Sequence, residues 1–95
     1  MIEVIKFGAD WCGPCKLMNP HINQLMEKYN AEGSEINVID VNVDENPELA
    51  AEHKIKTIPT LIFKVDDEVV DRKSGVMRKE EIEKIIESLK QETND

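Results

Sequence analysis

The sequence predicts an α/β domain with the order βαβαββα, a four-stranded mixed sheet covered by three helices. Three observations predict it. Runs rich in Ile, Val and Phe alternate with stretches whose apolar residues recur at helical spacing. The last two runs are separated only by Asp66-Asp67, which reads as a hairpin turn. The chain of 95 residues has no repeat or linker, so these elements belong to one domain, 1–95.

The first run, Ile2 to Phe7, is a strand, and Gly8 to Cys12 is a turn. Pro14 then stands in the first turn of a helix, where a missing N–H costs little. Met18, Ile22, Leu25, Met26 and Tyr29 form one apolar face of that helix. Pro20 inside it is expected to kink it, and Gly33 is the expected stop. Ile36 to Val43 is the second strand. Asn46 is a capping residue and Pro47 opens a short helix to His53. Thr60 to Val65 and Glu68 to Lys73 are the hairpin strands, with Asp67 at a turn position that tolerates left-handed backbone. Gly75 punctuates. The last helix carries Ile82, Ile85, Ile86 and Leu89 on one face, has a poor N-cap near Arg78, and ends in a polar tail, about 91–95, that is expected to fray. The first β-α-β unit makes two parallel strands with a right-handed crossover, and the hairpin adds antiparallel ones.

The formal charge of -8 argues against nucleic acid and anionic membranes as partners. The scarcity of aromatic residues, which are Phe7, Trp11, Tyr29 and Phe63, also argues against a base-stacking nucleic-acid binder. No apolar run approaches the length of a membrane span, and no signal peptide is visible, so a cytoplasmic location is expected.

Cys12 and Cys15 are the only cysteines. A Cys-x-x-Cys pair in a reducing compartment is a metal half-site or a redox couple. A tetrahedral zinc site usually needs four ligands. His21 and His53 are the remaining nitrogen candidates, and neither stands at the spacing of a finger or ribbon. The redox reading has a mechanism. Cys12 sits at a helix N-terminus, where the dipole and free N–H groups favour a thiolate, the species that attacks disulfides. Cys15, one turn further in, is the resolving thiol. Neither Gly13 nor Pro14 brings a cation, which points to a reductase rather than an oxidase. No metal or bound cofactor is required.

Ala9-Asp10-Trp11-Cys12-Gly13-Pro14-Cys15-Lys16 with Pro20, Asp44-x-Asn46-Pro47, and Ile58-Pro59-Thr60 resemble, in order and spacing, the motifs of thioredoxins. The resemblance covers nearly the whole chain. It implies a thioredoxin fold and a cis bond between Ile58 and Pro59; the compact layout, similar to the core shared with glutaredoxins, implies the strand order 2-1-3-4. It implies that Trp11, Gly13, Pro14, Thr57, Ile58, Pro59, Gly75 and Val76 form the surface that receives a target peptide. It also implies a protein-disulfide reductase recharged by a flavin-dependent thioredoxin reductase and acting on disulfide-containing proteins; a monomer is expected. Two rival functions are a glutathione-driven, glutaredoxin-like reductase and a non-catalytic binding module on the same fold.

Two departures stand out. The extra strand and helix that most thioredoxins carry ahead of the strand leading to the CxxC are not seen before Ile2. The family's buried aspartate, six residues before the first cysteine, is replaced by Lys6, and its lysine partner by Asp40. A buried charge needs a partner, because an unpaired ion costs several kcal/mol. The exchanged pair is therefore expected to lie beneath the CxxC, where either group is placed to serve the proton of Cys15.

Overall fold

A computed structural model describes residues 1–93. Its elements are β1 (Ile2–Gly8), α1 (Gly13–Tyr29), β2 (Ile36–Asn42), α2 (Pro47–Glu52), β3 (Thr60–Val65), β4 (Glu68–Ser74) and α3 (Lys79–Thr93). The sheet runs β2-β1-β3-β4, with β1 and β2 parallel and the other two pairs antiparallel. This is the predicted class and the predicted strand order.

Alternation along β1 decides what each face of the sheet carries. Ile2 and Val4 join Val38, Leu61 and Phe63 under α1 and α3, which contribute Met18, Ile22, Leu25, Ile82 and Ile86. Ile5 and Phe7 face the other way, with Val41 and Ile62, and meet Leu49, Ala50 and Ile55 around α2. Covered on both sides, β1 reads as a largely apolar run interrupted by the half-buried Glu3 and the buried Lys6. Lys6 shares the face of Ile2 and Val4, so it projects toward α1.

The helix ends differ from the sequence reading for tertiary reasons. α1 continues through Pro20 and stops at Tyr29, four residues before Gly33. Asn30 ends it. Its N–H bonds Met26 O, while its side-chain amide donates to Val38 O at 2.8 Å and accepts from Val38 N at 2.7 Å. Gly33, at φ 81°, serves the following turn instead. The Ser34 hydroxyl makes the same kind of double contact with Ile36 N and O. Asn46 stands at the N-cap of α2, but its amide donates back to Asn42 O and caps no helical N–H. α3 lacks a cap of its own in sequence. His21 Nδ1 of α1 accepts the Lys79 N–H at 3.1 Å, and Glu81 accepts that of Arg78. Part of the tail expected to fray, 91–93, is helical; residues 94 and 95 lie outside the described residues. Asp66 and Asp67, at φ 50° and 70°, make the left-handed two-residue turn that a hairpin favours.

α1 and α3 are also joined by polar contacts. Tyr29 donates its hydroxyl proton to Glu87 at 3.0 Å, and Lys28 pairs with Glu83 at 3.0 Å. Burial, and then the Glu87 carboxylate, push the Tyr29 phenol well above its ordinary range. Tyr29 is the only tyrosine, so its titration can be followed directly. No tyrosinate absorbance is expected as pH passes about 10, the ordinary value. The folded phenol stays protonated there while the unfolded one ionises. The stabilisation is thus full below about 10 and is lost as pH rises toward the folded value. Glu87→Gln should bring the transition down; an ordinary Tyr29 titration in the folded protein would contradict the contact.

Candidate active site

β1 delivers the chain to a short loop at the sheet's end, where the Cys12 N–H closes a turn onto Ala9 O at 3.2 Å. Cys12 is the N-cap of α1, with extended backbone (φ -87°, ψ 109°), and Pro14 lies in the first turn. The Cys12 sulfur takes the part that a Ser or Asp oxygen usually plays at this position. It accepts the Cys15 N–H at 3.2 Å. Cys12 and Cys15 are joined as a disulfide, with Cα atoms 5.2 Å apart. Cys15 is the deeper of the two, 1% exposed against 5% for Cys12. They pack with Ala9, Val43 and Ile58.

A second segment faces this helix end. The Ile58–Pro59 bond is cis, and Ile58 O lies 4.0 Å from the Cys12 sulfur. Thr60 Oγ1 donates to Thr57 O at 2.7 Å, which holds the segment in shape. The Gly75 N–H donates to Pro59 O at 2.9 Å, so the end of β4 is tied to the same place. Gly75 adopts φ 93°, a conformation that side-chain-bearing residues rarely take.

Trp11 is 70% exposed, and its indole N–H donates to Asp44 Oδ2 at 2.8 Å. The ring is thus exposed yet fixed. It borders a shallow apolar groove of about 190 Å³ with Val43, Ile55, Thr57 and Ile58. Gly13, Pro14, Thr57, Gly75 and Val76 are exposed, Ile58 is half-buried and Pro59 is buried. Leu17, which the sequence reading did not single out, is 68% exposed on the outer face of α1.

Lys6 and Asp40 are direct partners in the β1–β2 register, and their charged atoms are 3.4 Å apart. The pair is not buried as a unit. The Lys6 side chain is 4% exposed and that of Asp40 is 38% exposed, because β2 is an edge strand. The shorter bond of the ammonium goes to Asn19 Oδ1, at 2.7 Å. Asn19 was not among the residues anticipated from sequence. It lies four residues after Cys15, on the same helix face, but nothing in the sequence ties it to Lys6 on another element. Asp44 stands in the Asp44-x-Asn46-Pro47 motif, but its bond to Trp11, 33 residues away, had no signal in the sequence. Among the described residues, no three His, Cys, Asp or Glu side chains stand together as a metal site would need.

The comparisons agree with this geometry. The thioredoxin family model matches residues 2–88. The thioredoxin of Staphylococcus saprophyticus is 38% identical over 86 residues, 90% of this chain and 80% of that one. That of Staphylococcus aureus is 34% identical over the same extent. Among solved structures, a thioredoxin of Nicotiana alata superposes with a TM-score of 0.79 at 34% identity, covering 92% of this chain and 71% of its own. Oxidised mitochondrial thioredoxin 3 of Saccharomyces cerevisiae gives 0.77 at 32%, covering 92% and 77%. A cysteine-capped helix facing a cis-proline segment, on a β2-β1-β3-β4 sheet and with these relatives, makes the chain a member of the thioredoxin family and a thiol–disulfide oxidoreductase.

Proposed function

We propose that the protein is a protein-disulfide reductase that donates two electrons from Cys12 and Cys15 to target proteins. The observation that carries this reading is the Cys12 sulfur at the N-cap of α1, with the Cys15 N–H aimed at it. That N–H and the helix dipole stabilise a thiolate there, and a thiolate is the attacking species. Cys12 attacks one sulfur of the target disulfide. A Cys12–target disulfide forms and the first target thiolate leaves. Cys15 then loses its proton and attacks the Cys12 sulfur. The Cys12–Cys15 bond forms, the mixed disulfide breaks, and the second target thiolate departs. Two electrons pass to the target, and the two protons given up by the cysteines balance those its thiols take up.

Trp11, Gly13, Pro14, Thr57, Ile58, Pro59, Gly75 and Val76 receive the extended segment around the target's cysteine, with backbone at Thr57 and Ile58 pairing as in strand addition. Lys6 and Asp40 serve the second thiol. An ammonium cannot accept a proton, so Lys6 acts by its charge, and Asp40 with the solvent beside it takes the proton. Electrons return from a flavin-dependent thioredoxin reductase, in the cytoplasm. No helix of the described residues is long and apolar enough to cross a membrane.

The test is an exchange equilibrium of the oxidised protein against glutathione and against a thioredoxin standard, together with a recycling assay. A couple as reducing as thioredoxin, recycled by thioredoxin reductase, is expected. Rapid recycling by glutathione alone would overturn the reading in favour of a glutaredoxin-like enzyme.

A further inference from the structure

Cys15 has a second neighbourhood, on the side away from the cis-proline segment. Of the β1 residues on the α1 face, Lys6 is the one that carries a charge, and it carries that charge into a buried position. Its neighbour Gly8 leaves a gap. A side-chain carbon built on Gly8 would lie 3.1 Å from Cys15 Sγ, 3.1 Å from Lys6 Cε and 3.1 Å from Lys6 Nζ. The ammonium and the sulfur therefore both border the space that the missing Gly8 side chain leaves. Lys6 and Gly8, though not Cys15 itself, line a polar cleft of about 390 Å³ together with Asn19, Asp40 and Asn42. This cleft shares no lining residue with the apolar groove beside Trp11.

We propose that Asn19 is a positioning residue for the reaction: it holds the Lys6 ammonium beside Cys15, so that the resolving sulfur forms as a thiolate while its proton leaves through the cleft at Asp40. The inference rests on the reductase reading and deepens it. A lysine head is a point charge on a flexible stem, and something must fix where it sits. Asp40 alone, at 3.4 Å and half in solvent, would draw the ammonium toward the sheet edge. The 2.7 Å bond to Asn19 pulls it back toward α1, the helix that carries Cys15. The amide does this without adding a negative charge beside the sulfur. The other charged groups on the cleft are Asp10, Lys16 and Glu45, so acids outnumber lysines there. Acids near the sulfur oppose a thiolate and a cation favours it, which makes the location of the Lys6 head decisive. Because the cleft and the groove are separate, a target seated at Trp11 would leave the proton's exit open.

The experiment uses the full chain, reduced, with a chromogenic aromatic disulfide as probe. The first thiolate released reports attack by Cys12. The second reports attack by Cys15 on the mixed disulfide. Asn19→Ala, which suits a helix interior, should leave the first release unchanged. It should slow the second about tenfold at neutral pH by moving its pH profile up by about one unit. In a Lys6→Met background, adding Asn19→Ala should change nothing further. An unchanged second release in Asn19→Ala overturns the proposal. So does equal slowing in the Lys6→Met background, which would mean that Asn19 acts without the lysine. Slowing of both releases also overturns it, because Asn19 would then act on the attack by Cys12 or on the fold rather than on the resolving step. Failure of the unsubstituted protein to give a second release would instead overturn the dithiol mechanism itself.

Discussion

Cys12→Ser is expected to abolish reduction of a target disulfide, with a loss beyond about a thousandfold, because a serine hydroxyl is not ionised where a thiolate is. Cys15→Ser should behave differently. Its first step survives, since Cys12 keeps its place at the N-cap and the residue 15 N–H still points at it. With no second thiol, the mixed disulfide has no internal exit. A covalent complex with the target should then accumulate, visible as a band of added mass that reductant removes. Residual turnover in Cys12→Ser, or no trapped complex with Cys15→Ser, would reverse the assigned roles or remove them. The asymmetry follows from position alone: one sulfur caps the helix and the other lies beneath it.

The largest effect on stability is expected at Phe63. It is fully buried in the centre of β3, pairs with Val4 across the ladder, and packs in the cluster beneath α1 and α3. Phe63→Ala removes that contact surface and leaves a cavity, at a cost of about 3–5 kcal/mol. A domain of this size has roughly 5–14 kcal/mol in total. The midpoint of thermal unfolding should fall by roughly 15–30 °C. Val70→Ala on the exposed strand β4 is the control, and should change stability by less than about 0.5 kcal/mol. Urea unfolding measures both; a loss under about 1 kcal/mol at Phe63 would mean that the core is not where the packing puts it.

The readable parts of the fold were those that local chemistry decides. The β-type runs, the apolar face from Met18 to Tyr29 and the Asp66-Asp67 turn each depend on neighbours in sequence. The helix ends were less readable because distant groups decide them. Asn30 ends α1 through its bonds to Val38, and His21 caps α3 from another helix. The same division runs through the site. Cys12 and Cys15 announce themselves, and the motif around Pro59 carried the cis bond. Lys6 and Asp40 were placed in register correctly, but the exposure of Asp40 follows from β2 lying at the edge of the sheet. Asn19 is an unremarkable helix residue until Lys6 is seen to reach it.

The double contacts of Asn30 and Ser34 have a consequence for self-association. An edge strand presents unpaired N–H and C=O groups on which another chain can build a ladder. On β2 the groups of Ile36 are already taken by Ser34, and those of Val38 by Asn30. Two side chains thus imitate a missing neighbour strand along half of that border. At high concentration, edge-to-edge growth of sheets into fibres is opposed there by these two side chains, with the exposed charge of Asp40 further along the same strand.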